Sequence, residues 1–186
     1  MLETVYNNLR NLVIGKLYSS ADLAYYNQGD KFPKLIVTNI NTSIDSVLLP
    51  TMASSQDDSA RVKNMTRRAI KTSTYIMAPL MIGLAFCSNT IVELVLTEKW
   101  LPCVPFLQIF CITYMFQPVH TANLNAIKAM GKSDIFLKLE IIKKIVGMSL
   151  LLSTMWFGVM AMAYSLLVSC VLSQIINSWP NKRLLG

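Results

Sequence analysis

IVGMSLLLSTMWFGVMAMAYSLLVSCVLSQIINSWPN, residues Ile145 to Asn181, runs for 37 residues without an Asp, Glu, Lys or Arg. A helix crossing the hydrocarbon core of a bilayer needs about 20 residues. The stretch is therefore long enough for two crossings, with a tight turn where Trp156, Phe157 and Gly158 interrupt the aliphatic run. Barrel strands alternate apolar and polar side chains, so apolar runs of this length exclude them and leave the helix as the way to pair every backbone group in lipid. Two further windows, Thr72 to Val92 and Trp100 to Ile127, are equally free of charge, and each fits one crossing.

Composition points the same way. Of 186 residues, 53% are apolar and 15% charged, against about 25% charged in a soluble domain. Two weaker apolar segments, Met1 to Tyr18 and Leu35 to Met52, precede the three windows. The expectation is an all-α, polytopic membrane helix bundle, a single membrane domain over residues 1–186. Its six transmembrane helices are placed near 1–18, 33–52, 73–96, 103–128, 137–157 and 159–180.

The basic residues sort by side. Short cytoplasmic loops collect Lys and Arg, and short loops on the other face do not. Arg61, Lys63, Arg67, Arg68 and Lys71 fall in or beside the loop at 53–72, and Lys128, Lys132, Lys138, Lys143 and Lys144 surround the loop at 129–136. With Lys182 and Arg183 in the tail, they place both loops and both termini in the cytoplasm. The alternate loops hold only Lys16, Lys31, Lys34 and Lys99. The formal charge of +7 is thus explained by topology. It forms no basic stripe interleaved with aromatics, so nucleic acid is not an expected partner. Trp100, Tyr25, Tyr26 and Phe32 read as interface anchors. Pro33 and Pro105 suit first-turn positions, and Pro118 predicts a kink.

Polar groups at membrane depth normally face a bundle interior or a hydrated cavity. In the second helix Thr38, Asn41, Thr42 and Asp45 lie opposite Ile36, Ile40, Ile44, Val47 and Leu48. In the fourth, Thr113, Gln117, His120, Thr121 and Lys128 share about a third of the circumference at 3.6 residues per turn. Ser165, Ser169 and Ser173 form a ladder of small residues suited to close helix approach. Arg10 fits either a fixed cation offered to a phosphate or a snorkelling interface residue. Asp45 fits pairing with such a cation, binding a coupling ion, or a hydrogen bond within the bundle. His120 fits proton coupling or a neutral, hydrogen-bonded core position.

Phosphate-loop, metalloprotease and nucleophile-elbow signatures are absent. The four cysteines, Cys87, Cys103, Cys111 and Cys170, are scattered without a CxxC pair beside a single histidine, so neither a metal nor another cofactor is expected. No secretory signal opens the chain, so no exported mature domain is expected. The expectation is a membrane protein that is not an enzyme.

A series of words then carries a resemblance: Arg10-Asn11-Leu12 leading to Gly15-Lys16-Leu17-Tyr18-Ser19, Leu23-Ala24-Tyr25-Tyr26-Asn27, Phe32-Pro33 and Val47-Leu48-Leu49-Pro50. Ala78-Pro79-Leu80, Glu98-Lys99-Trp100, Pro105-Phe106-Leu107-Gln108 and Ala129-Met130-Gly131-Lys132-Ser133-Asp134 follow. In order and spacing, over nearly the whole chain, they resemble the Wzx-like flippases, the polysaccharide-transporter branch of the multidrug/oligosaccharidyl-lipid/polysaccharide exporter superfamily. The resemblance implies two six-helix lobes around a cavity, of which this chain is similar to the second, with the N-terminal lobe missing. It implies alternating access in a bacterial cytoplasmic (inner) membrane. A prenyl-pyrophosphate-linked oligosaccharide is then the cargo, and its lipid tail stays in the membrane lipid. Arg10, Asn41, Gln117, His120 and Asn125 are the cavity candidates on polar character at membrane depth, with Asp45 added. The competing readings are a drug exporter of the same superfamily, a non-transporting remnant or interaction subunit, and a membrane glycosyltransferase.

Overall fold

The computed structural model describes residues 2–55 and 58–185, without the side chains of residues 2–7, 59, 133 and 178–185. Met1, Gly186 and the side chains of Lys182 and Arg183 therefore lie outside the described residues. The chain is an all-helical membrane bundle. Its helices are α1 (Leu2–Leu17), α2 (Ser20–Ala53), α3 (Ser59–Phe86), α4 (Ser88–Leu96), α5 (Val104–Met115), α6 (Gln117–Ala129), α7 (Ser133–Thr154) and α8 (Val159–Leu185), with a 3-10 helix over Glu98–Cys103. Three stretches among the described residues are long and apolar enough to cross a membrane: Ala60–Phe86, Glu98–Ala129 and Val159–Asn177.

Several boundaries depart from those expected, for local reasons. Residues 20–32 are helical because Ser19 caps α2. Its Oγ accepts from the Asp22 amide at 3.1 Å, and the Asp22 carboxylate accepts from the Ser19 amide at 3.3 Å. This reciprocal box satisfies two donors that an uncapped helix start leaves open. Helix α2 then runs 34 residues with Pro33 and Pro50 inside it, so Pro33 is not a first-turn residue. The expected loop at 53–72 is helical from Ser59, where the Asp58 carboxylate caps the Arg61 amide at 2.9 Å. The loop at 129–136 shrinks to Met130–Lys132, with Gly131 at φ 69°.

At Pro118 the helix breaks instead of kinking. Helix α5 ends at Met115 and α6 begins at Gln117, leaving Pro118 in a first turn where its missing N–H costs nothing. Phe116 sits at the break, and its carbonyl accepts from Gln174 Nε2 at 2.8 Å. The α7–α8 turn falls at Met155–Gly158, where Gly158 takes φ 105°. Tyr18 closes it: its hydroxyl donates to the Met155 carbonyl at 2.7 Å and accepts from the Gly158 amide at 2.8 Å.

Helix α5 is the central pillar, with Phe106, Leu107, Ile109, Phe110 and Cys111 all buried. On one side it packs with Ile14, Tyr26, Leu151 and Met162, and on the other with Val37, Met77, Met81 and Val92. Tyr26 is thus a core residue and not an interface anchor, edge-on to Phe110 with ring centroids 5.1 Å apart. The α2–α5 contact is close because Gly29 lacks a side chain. A Cβ there would stand 2.8 Å from Phe106 Cβ and 2.9 Å from the Leu107 backbone nitrogen, the small-residue approach that membrane helices use.

Candidate functional site

With Gly29, Pro33 and Val37 buried, the next face of α2 carries Asn27, Asp30, Lys34, Thr38 and Asn41, one residue per turn. That stripe is one wall of a polar cavity of about 440 Å³, and the others come from α1, α5–α6, α7 and α8. The helices that supply most of its charge, α1, α2 and α7, are absent from the three apolar stretches. That charge is Arg10 on α1, Asp30 and Lys34 on α2, and Glu140, Lys143 and Lys144 on α7.

Arg10 is 2% exposed. Its Nη1 donates to the Met162 carbonyl at 3.2 Å and to the Tyr26 hydroxyl at 3.4 Å, which holds the guanidinium at the cavity wall instead of at an interface. Across the space, Lys143 is buried on α7 and forms an ion pair with the Glu140 carboxylate one turn away. Its Nζ also stands 3.5 Å from His120 Nε2, while the Asn177 amide stands 2.7 Å from His120 Nδ1.

The tautomer follows from these partners. A neutral imidazole has one donor and one acceptor nitrogen, and Lys143 can only donate. Nε2 therefore accepts from Lys143, and Nδ1–H donates to the Asn177 Oδ1. Swapping N and O of that amide gives Oδ1, otherwise without a partner among the described residues, its hydrogen bond. His120 thus ties α6 to α7 and α8 and orients the ammonium.

Toward the α2 N-terminal end, Asp30 accepts from the Tyr114 hydroxyl at 2.6 Å and pairs with Lys34 at 3.4 Å. The cavity is lined by four cations, Arg10, Lys34, Lys143 and Lys144, against the two acids Asp30 and Glu140. It also offers amides and hydroxyls from Asn41, Gln117, Ser169 and Ser173. Asn41 Oδ1 is buried without a partner among the described residues. Such a lining suits an anionic, hydroxyl-rich ligand: ammonium and guanidinium groups recognise phosphate oxygens, and amides recognise hydroxyls.

Of the six residues singled out from sequence, Arg10, Asn41, Gln117 and His120 line this cavity. Asp45 and Asn125 do not; they meet each other, Asn125 Nδ2 donating to Asp45 Oδ1 at 2.5 Å, which ties α2 to α6. The sequence reading missed Asp30, Lys34, Glu140, Lys143 and Tyr114. The i,i+4 spacing of Asp30 and Lys34 behind a Ser19-to-Asp22 capping box was the available signal. Lys143 carried none, since its charge is indistinguishable in sequence from that of a topological anchor.

Residues 1–105 match the family of polysaccharide biosynthesis proteins. The chain is 27% identical to the lipopolysaccharide biosynthesis protein WzxC of Escherichia coli K12, over 92% of this chain and 34% of that protein. It is 24% identical to a membrane protein encoded in the cps region of Klebsiella pneumoniae, over 95% of this chain and 37% of the relative. It is 22% identical to the teichuronic acid biosynthesis protein TuaB of Bacillus subtilis 168, over 92% of this chain and 36% of TuaB. The chain spans about a third of the length of these curated relatives. No solved structure gives a significant match.

Proposed function

Because this chain belongs to the polysaccharide biosynthesis protein family, we propose that it is one lobe of a flippase that moves lipid-linked oligosaccharides across a bacterial cytoplasmic membrane. The observation that carries the reading is a polar cavity with a surplus of cations inside an otherwise apolar helical bundle. A prenyl-pyrophosphate headgroup brings negative phosphates and sugar hydroxyls. In this reading Arg10, Lys143 and Lys144 meet the phosphates, while Asn41, Gln117 and the serines of α8 meet the sugar. The prenyl tail stays in the bilayer.

The lobe crosses six times in this reading: α1, α2, α3, α5–α6, α7 and α8, with both ends cytoplasmic. A second lobe, part of the same full-length protein, faces this one and completes the path by alternating access. His120 positions Lys143, and Asp45 with Asn125 fixes the spacing of α2 and α6.

The test is complementation of an export-deficient strain with the gene that encodes this chain, scored by surface polysaccharide. Arg10→Gln combined with Lys143→Gln is expected to abolish export while the protein still reaches the membrane. Normal export by that variant would overturn the cavity assignment.

A further inference from the structure

One exposed face of α3 changes character along its length. Stepping three or four residues at a time, it presents Arg61, Asn64, Arg68, Lys71, Tyr75, Pro79, Ile82 and Phe86, every one exposed. The first four are cationic or polar and the last three apolar, with Tyr75, 84% exposed, at the boundary and Phe86, 85% exposed, at the far end. The opposite face is inward: Val62, Thr66, Ser73, Met77 and Met81 are buried. Among the described residues, none of the Arg61, Arg68 and Lys71 side chains forms an ion pair. Arg67 is exposed beside them.

We infer that this face of α3 is a binding site for an anionic glycerophospholipid. The chemistry matches in register. Clustered Lys and Arg beside a membrane-spanning segment attract anionic headgroups, a Tyr side chain suits the headgroup layer, and acyl chains fit a lipid-exposed apolar stripe. From Lys71 to Phe86 the helix rises about 22 Å, more than the roughly 15 Å of one hydrocarbon leaflet. A phosphate at Arg68 and Lys71 therefore leaves its chains alongside Ile82. The Ala60–Phe86 span is also the least buried of the three apolar stretches, as a lipid-facing helix requires. An acidic protein surface would meet the cations but not the apolar continuation of the same stripe, so the lipid is the better occupant. The site is separate from the cavity, and the inference does not rest on the flippase reading.

The test is native mass spectrometry of the purified chain in neutral detergent, with phosphatidylglycerol and phosphatidylcholine added in equal amounts. The wild type is expected to retain phosphatidylglycerol selectively. The triple variant Arg61→Gln/Arg68→Gln/Lys71→Gln is expected to lose that preference by about tenfold or more. A charge-matched control, Lys16→Gln/Lys31→Gln/Lys99→Gln, is expected to keep it. In bilayers, a Tyr75→Trp reporter should be quenched more by brominated phosphatidylglycerol than by brominated phosphatidylcholine, and the difference should vanish in the triple variant. No lipid preference in the wild type, an unchanged preference in the triple variant, or equal loss in the control would each overturn the inference. The first of those outcomes would leave the cations to an acidic protein partner.

Discussion

The cations of α7 and those of α3 carry the same charge and live under opposite constraints. Lys143 is buried, paired with Glu140 on its own helix and within reach of His120 on α6, which is held in turn by Asn177 on α8. Arg61, Arg68 and Lys71 stand exposed on one face of one helix, and among the described residues their side chains form no ion pair. A buried charge whose partner is removed is costly, whereas an exposed one contributes little to folding. The first group therefore sets geometry and the second sets a field.

Substitutions that exchange these properties break the comparison, starting with the largest effect. Lys143→Met strands the Glu140 carboxylate and should destabilise the fold by about 3 kcal/mol, read as a lowered midpoint of thermal unfolding in detergent. It should also abolish export. Adding Glu140→Gln should recover most of the stability and none of the export, which separates the two roles of the ammonium. Equal recovery of both would assign Lys143 to structure alone.

Gly29→Ala disturbs the cavity wall without touching any charge. Its new Cβ meets the Leu107 backbone and the Cys103 carbonyl, and overpacking of this kind costs roughly 1–3 kcal/mol. The same unfolding assay should show a clear drop, and wild-type stability would mean that α2 slides freely on α5. His120→Phe keeps the ring but removes one polar contact each from Lys143 and Asn177. A loss of about 1–2 kcal/mol follows from the lost contacts, together with reduced export. Arg68→Gln is the smallest case: stability should change by no more than about 0.5 kcal/mol, with phosphatidylglycerol retention falling only in part.

The same contrast explains what could be seen in the sequence. Apolar stretches announce helices whose outer face meets lipid, so α8, the α5–α6 pair and the apolar half of α3 were legible from uncharged windows. Helix α2 was legible only in its second half. Its first half holds Tyr26, Asn27, Asp30 and Lys34, a mixture that looks like a solvated loop until one face is known to be a cavity wall. Arg10 was legible because a lone cation inside an apolar run needs a reason. Lys143 was not, since it follows a basic loop and only the fold shows that it turns inward. Asp45 and Asn125 carry the same polarity as the cavity residues and face each other instead, a matter of helix rotation that hydropathy does not encode.

The Tyr18 hydroxyl spans the end of α1 and the α7–α8 turn with one hydrogen bond given and one received. That corner is therefore pinned as a single piece, and the two helices it joins to α1 cannot part there without unmaking both bonds. Any widening of the space between them must grow with distance from Tyr18. The bundle is in this respect a pair of tongs hinged at Tyr18, and His120, touching Lys143 on one arm and Asn177 on the other, is the clasp that joins the arms further along.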